Sequence, residues 1–250
     1  MPDFGSLSKK LLTSLELKFS PIAINFGNEP LAEHTPPDIS IAAGCQFWEL
    51  GATQALVTSA RDHANCSIGI HTHNLADAPA LQRSELEQTL AAMGGLDYVR
   101  ADEVPAIPTM QSTSKYVCYT PLAQCTTEPD VVLLYANARQ GLMITQAIAR
   151  VDGASPLSLG RPACALIPQV INSGKAAASL GCCGARAYIG SLDDGTTLWA
   201  LPGEKLADYI DAIDTLAEAN RVLTLFHKQR NQDIAAGKSP TVAESLGKLS

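Results

Sequence analysis

The amino-acid sequence predicts an α/β fold, with α+β as the alternative: two related strand–helix–strand halves packed about a pseudo-twofold, followed by a long C-terminal helix. Three observations carry this. Segments rich in β-branched and aromatic residues, such as "PIAINFG" from Pro21 and "DVVLLYA" from Asp130, alternate with segments whose apolar residues recur at helical spacing. Each of those two strands is followed by the same order of features: a cysteine, a short apolar helix, a short strand and a loop with a second cysteine. From Pro202 one amphipathic pattern runs on to Gly237.

At the start, Ser6 or Ser8 caps a helix whose Leu11, Leu12, Leu15 and Leu17 follow helical spacing, and the strand from Pro21 comes next. "NEPLAEHTPPD", Asn28 to Asp38, is a proline-rich loop, and "ALVTSA" is the first short strand. Ser84, with Glu87 three residues on, reads as a capping box that opens a helix ending at Gly94 and Gly95. "EVPAIPTM" is an extended connection. "KYVCYTPL" from Lys115 and "DVVLLYA" read as strands, "GLMITQAIARV" from Gly141 as a helix, and "AAASL" as the second short strand. The last helix, about 204–236, places Leu206, Ile210, Ile213, Leu216, Ala217, Leu223 and Phe226 on one side. The reading is a single compact domain over 1–250, built of pseudo-repeats at about 17–96 and 115–205, with a mobile tail at 238–250.

With 250 residues, 46% of them hydrophobic and 17% charged, the chain can bury a substantial core. Its net charge of −7 and its scattered Lys and Arg leave no basic face, which argues against nucleic acid and anionic membrane as partners. The first residues lack the layout of a secretory signal, and no apolar run approaches eighteen residues. A cytoplasmic protein is expected, free to form a homo-oligomer. In a reducing compartment its seven cysteines point to burial, metal binding or redox chemistry rather than to disulfides.

Twenty residues separate Cys45 from Cys66, seventeen separate Cys164 from Cys182, and Gly69 and Gly184 follow closely on the second cysteine of each pair. Pro168 belongs in the first turn of a helix, which puts Cys164 at or just before the N-terminus, where the dipole and free amides favour thiolate. Gly181 and Gly184 flank Cys182 and Cys183 and allow tight backbone around an anion or a cluster sulfide. Related halves that face each other would bring Cys45, Cys66, Cys164 and Cys182 together. Four thiolates, or three with one iron open, suit an iron–sulfur cluster whose ligands come from distant loops. The close C-x-x-C pairs of structural zinc are absent. Cys118 and Cys125 read as space-filling residues, and Cys183 as a neighbour of Cys182 or its replacement as ligand.

His63, His71 and His73 surround the first loop, and the alternation in "HTH" puts His71 and His73 on one face of a strand. With no carboxylate at matching spacing, they read as surface or neighbouring groups rather than ligands. Arg161 and Arg186 lie within a few residues of the cysteines and suit an anionic substrate. No P-loop, dinucleotide fingerprint, nucleophile elbow or H-E-x-x-H motif occurs.

"CQFWELG", "NCSIG", "GRPACALIPQVINSG", "SLGCCGARAYIG" and "LPGEKL" together resemble the ArCR family, a domain of unknown function, from "LELKFSPIAINF" to the start of the last helix. The resemblance implies that Cys45, Cys66, Cys164 and Cys182 are the family's cysteines, with Cys183 at a variable position. It implies no activity, although the family's occurrence in anaerobes agrees with a cluster and with anaerobic metabolism.

The leading expectation is therefore a 4Fe-4S cluster protein performing redox or Lewis-acid chemistry on a small, anionic molecule or with a redox partner. The alternatives are a metal-free thiol/disulfide enzyme using Cys164 or Cys182 with Cys183, and a non-catalytic metal carrier or sensor.

Overall fold

Alternation along the central strands decides the layering. In β1 (Ile22–Gly27), Ile22 and Ile24 enter one core and Ala23 the other; in β4 (Val131–Asn137), Val131, Leu133 and Tyr135 enter the first, Val132, Leu134 and Ala136 the second. Successive side chains of a strand point to opposite faces, so a sheet covered on both sides must be apolar at almost every position. That is why "DVVLLYA" is a continuous apolar run.

The computed structural model describes residues 2–78 and 80–247. Among these, a seven-stranded sheet runs in the order β2 (Leu56–Ser59), β3 (Tyr116–Pro121), β1, β4, β7 (Thr196–Pro202), β6 (Ala177–Ser179), β5 (Leu157–Leu159). The fold is mixed α/β, with every neighbour antiparallel except β5 and β6. One face carries α2 (Gln46–Gly51), α3 (Ser67–Thr72), α6 (Leu166–Ser173) and α7 (Cys183–Tyr188), through Phe47, Trp48, Ile70, Leu166, Val170 and Ala185. The other carries α1 (Phe4–Leu15), α5 (Ala138–Asp152) and the long α8 (Leu206–Ala235), through Leu11, Leu15, Ile144, Ala147, Ile210 and Ile213. The expected long C-terminal helix is present. No described helix is long and apolar enough to cross a membrane.

Strand pairing repeats across the centre of the sheet. Ile22 opposes Pro121 as Val131 opposes Pro202, and Leu56 opposes Tyr119 as Ala177 opposes Ala200. Thus β3 lies between β1 and β2 as β7 lies between β4 and β6. By its pairing β3 belongs with the first strands, although residues 115–205 read as the second repeat. The helices do not follow the same plan: α4 (Ala80–Gly95) separates α3 from β3, whereas α7 reaches β7 directly, and α5 and β5 occur only in the second half. The halves therefore do not match element for element.

Three local expectations change. Helix α4 already begins at Ala80, so Ser84 lies inside it, and its hydroxyl accepts from Gln88 Nε2 at 3.0 Å instead of capping. "HTH" is not a strand; His71 lies in α3 and His73 closes it, because Cys66 starts a helix that carries the chain through both. The segment read as a mobile tail contains α9 (Val242–Gly247), which packs on α8 with Ser245 buried and Thr241 and Glu244 bonded to each other at its start. Residues 248–250 of that tail lie outside the described residues.

Beneath the second face, the buried carboxylate of Asp152 accepts from Tyr209 Oη at 2.8 Å, Ala176 N at 3.2 Å and Lys205 Nζ at 3.4 Å. One side chain thereby ties α5 to α8 and to the start of β6. Removing it leaves a buried amide and phenol unpartnered, so Asp152→Ala is expected to cost roughly 2–4 kcal/mol, read as a lower denaturation midpoint. Asp152→Asn, which keeps an acceptor, is expected to cost less.

Candidate functional site

Each of the four paired cysteines stands at the start of a helix on one face of the sheet. Cys45 precedes α2, Cys66 precedes α3, Cys182 precedes α7, and Cys164 lies in the 3₁₀ turn Ala163–Ala165 that leads into α6. The repeated strand pairing brings the four starts to one place. All four cysteines line a single cavity of about 1040 Å³. Cys183 also lines it, from an exposed position, whereas Cys118 and Cys125 do not. Cys118 is buried in β3, and Cys125 donates from Sγ to Thr127 O at 2.9 Å. All seven cysteines are free thiols.

Local bonding holds two of the sulfurs. Cys182 Sγ accepts from Ala185 N at 3.5 Å, as a cap of its helix. The buried Thr72 hydroxyl lies 3.3 Å from Cys164 Sγ and 3.2 Å from Gly69 O, and its single proton can serve either. Gly69 leaves room for Cys66, since a Cβ there would meet Cys66 Sγ at 2.9 Å and displace it. Gly181 is required by its left-handed backbone, φ 81°. Gly184 faces open space.

Electrostatics overturns the expectation that the helix start favours thiolate at Cys164. Burial pushes the Cys164 thiol well above its usual range, and the nearby Cys66, Cys45 and Cys182 push it further, against the Thr72 hydrogen bond. Burial, then Cys66 and Cys182, raise Cys45 to about 12. A helix end is worth about a kcal/mol or so, less than the removal of a charged sulfur from water beside other sulfurs. Without a counter-charge, Cys45 and Cys164 remain protonated at neutral pH.

Behind the cysteines lies a layer of polar side chains, of which the sequence marks His63 and His73 but not Tyr119. Tyr119 is fully buried with its hydroxyl unpartnered; burial holds it protonated, and it is within electrostatic reach of Cys45, Cys66 and Cys164. His63 and His73 are buried ring to edge with centroids 6.1 Å apart. Burial lowers His63 to about 3, with His73 adding to the shift, and lowers His73 to about 4, so both are neutral. His63 Nε2 lies 3.1 Å from Thr58 Oγ1, while its Nδ1 has no partner. His71 lines the cavity from an exposed position.

The arginines separate. Arg161 lines the cavity, its guanidinium 4.2 Å above the Tyr98 ring and 3.5 Å from Glu103. Arg186 does not line it: its guanidinium donates to the carbonyls of Leu180, Asp193 (2.7 Å) and Thr196 (3.2 Å), bracing the turn from α7 into β7. Proximity to Cys182 in sequence did not bring it to the cavity. Among the described residues, no three His, Cys, Asp or Glu side chains are grouped so as to hold one metal ion.

The family model described as "DUF169: Uncharacterised ArCR" matches residues 10–212. No curated protein and no solved structure matches the chain.

The glycines around the site give a direct contrast. A methyl at Gly44 would overlap the buried His63 ring, whereas one at Gly184 would meet nothing. Gly44→Ala is expected to destabilise the protein by roughly 1–3 kcal/mol through overpacking. Gly184→Ala, in a helix, is expected to be neutral or stabilising by up to about 1 kcal/mol. Chemical denaturation of the two variants measures both.

Proposed function

The chain belongs to the uncharacterised ArCR family, and for it we propose that Cys45, Cys66, Cys164 and Cys182 hold an iron–sulfur cluster of the 4Fe-4S type, beside a cavity where Arg161 binds a small anionic molecule. The observation that carries the reading is that four helix starts, from both halves of the sheet, deliver four free cysteines to one cavity.

The residues fit such a group. Cysteines that repel one another's charge, with two thiols held protonated by burial, need a cationic centre to hold them as thiolates together. A single tetrahedral ion, about 2.3 Å from each sulfur, would gather the ligands tightly, and no such grouping occurs among the described residues. A cluster, whose irons are spaced by bridging sulfides, holds its cysteines further apart. Bound there, it would supply one-electron redox chemistry, or Lewis acidity at an iron left open by three-cysteine ligation.

The chain's own groups have distinct tasks. The Thr72 hydroxyl lies within hydrogen-bond distance of the Cys164 sulfur, and the protonated Tyr119 lies within electrostatic reach of Cys45, Cys66 and Cys164. Donors of this kind stabilise charge on sulfur and set a cluster's potential. Arg161 offers a planar fork to a carboxylate or phosphate at the side of the cavity. The free thiols throughout the chain agree with a reducing compartment such as the cytoplasm.

Protein made and purified without oxygen is expected to be brown. Cys164→Ser is expected to lose most of the iron, because an alcohol stays protonated and is a poor ligand for soft metal. Cys118→Ser, Cys125→Ser and the exposed Cys183→Ser are expected to retain it. Iron content and visible absorption measure this; bleaching by Cys118→Ser as complete as by Cys164→Ser would overturn the choice of ligands. Loss of an activity with Cys183→Ser, in protein that never carries iron, would support the thiol enzyme instead.

A further inference from the structure

The cavity extends well beyond the cysteines, and its outer wall is apolar. Helix α4 turns Leu86, Thr89, Leu90 and Met93 toward it, at the i, i+3, i+4 and i+7 positions of one face. In α5 the equivalent stripe, Met143, Ile144, Ala147 and Ile148, is packed into the core under the sheet. The α4 stripe instead remains half-buried, facing space. Ile68, Ile107 and Leu159 continue the same surface from three other segments.

Charge on this wall is sparse and placed to one side. Glu103 and Asp102 line the cavity, but Asp102 is paired with Arg100 at 3.0 Å, and Glu103 accepts from Arg100 N at 2.9 Å and lies 3.5 Å from Arg161. The Arg161–Glu103 pair is long and more than a third exposed, so it holds Arg161 only weakly against a better-placed anion. At about 1040 Å³, the space reaches the upper end of small-molecule sites, roughly 300–1,000 Å³.

We infer that the cavity takes a monoanion with an extended apolar body, a long-chain or aryl monocarboxylate, with its carboxylate at Arg161 and its body along the α4 stripe over the cysteines. Apolar surface kept in contact with water at the mouth of a site gains most from a ligand that covers it. The segment that builds the wall is local to this side. Residues 73–115 lie between α3 and β3, whereas only residues 189–195 lie between α7 and β7. The wall is thus built by a long connection that has no counterpart between α7 and β7. The inference rests on the proposed function for what is done to the molecule, not for its binding.

Calorimetric titration of the full chain with octanoate, decanoate and dodecanoate tests it. Each added methylene is expected to tighten Kd by roughly fourfold while the wall still covers it. Decanedioate, which must bury a second charge in the apolar wall, is expected to bind far more weakly than decanoate. Arg161→Gln is expected to weaken decanoate by about tenfold or more and to leave decanol unchanged. Leu90→Glu, and separately Met93→Glu, are expected to weaken both, in variants whose unfolding midpoints match the parent's. Affinity independent of chain length, decanedioate binding as tightly as decanoate, or no binding at all would overturn the inference. Titrating protein with and without bound iron separates the two claims. Length-dependent binding to a chain that never holds iron would contradict the cluster alone, and an iron-bearing chain without it would contradict the apolar chamber alone.

Discussion

The site depends on the short antiparallel contact between β1 and β4. Only three residue pairs make it, Ile22 with Leu133, Ala23 with Val132 and Ile24 with Val131. Because side chains alternate, this register assigns Ile22, Ile24, Val131 and Leu133 to one core and Ala23 and Val132 to the other. A slip of one residue would put the cysteine-bearing helices of the two halves on opposite faces of the sheet. The buried apolar positions therefore do more than stabilise the domain: they bring the starts of α2, α3, α6 and α7 to one cavity.

Once gathered, the cysteines oppose one another. Burial disfavours charge on the sulfurs of Cys45 and Cys164, and the neighbouring cysteines make it more costly still, so both are pushed far toward the protonated state. Protonated Cys45 and Cys164 are poor nucleophiles, since a nucleophilic cysteine needs thiolate at neutral pH. In the proposed function one centre would satisfy the sulfurs together. The neutral His63 and His73 and the protonated Tyr119 behind it add polarity without charge.

Much of the scaffold was legible because it rests on local pattern. The central strands are named by their branched residues and the long helix by its period. What escaped depends on long-range contacts. Arg186 lies four residues from Cys182, but the carbonyls of Leu180, Asp193 and Thr196 take up its guanidinium. "HTH" has the alternation of a strand, yet the helix begun at Cys66 runs through it. β3 follows the first half in pairing although it precedes β4 by only a short turn. The protonated state of the thiols was not readable at all, since desolvation is a property of the packed core and not of a helix start. Neither Thr72 nor Tyr119 carries any mark in the sequence.

The central claim is that the four gathered cysteines exist to hold one iron–sulfur centre. The most direct measurement is the ratio of iron to acid-labile sulfide per chain in protein produced, purified and assayed without oxygen. The account predicts iron and sulfide in equal amounts, approaching four of each per chain for the cluster type proposed. Protein that folds and keeps seven titratable thiols, but contains neither iron nor sulfide under those conditions and takes up neither on reconstitution, would contradict it.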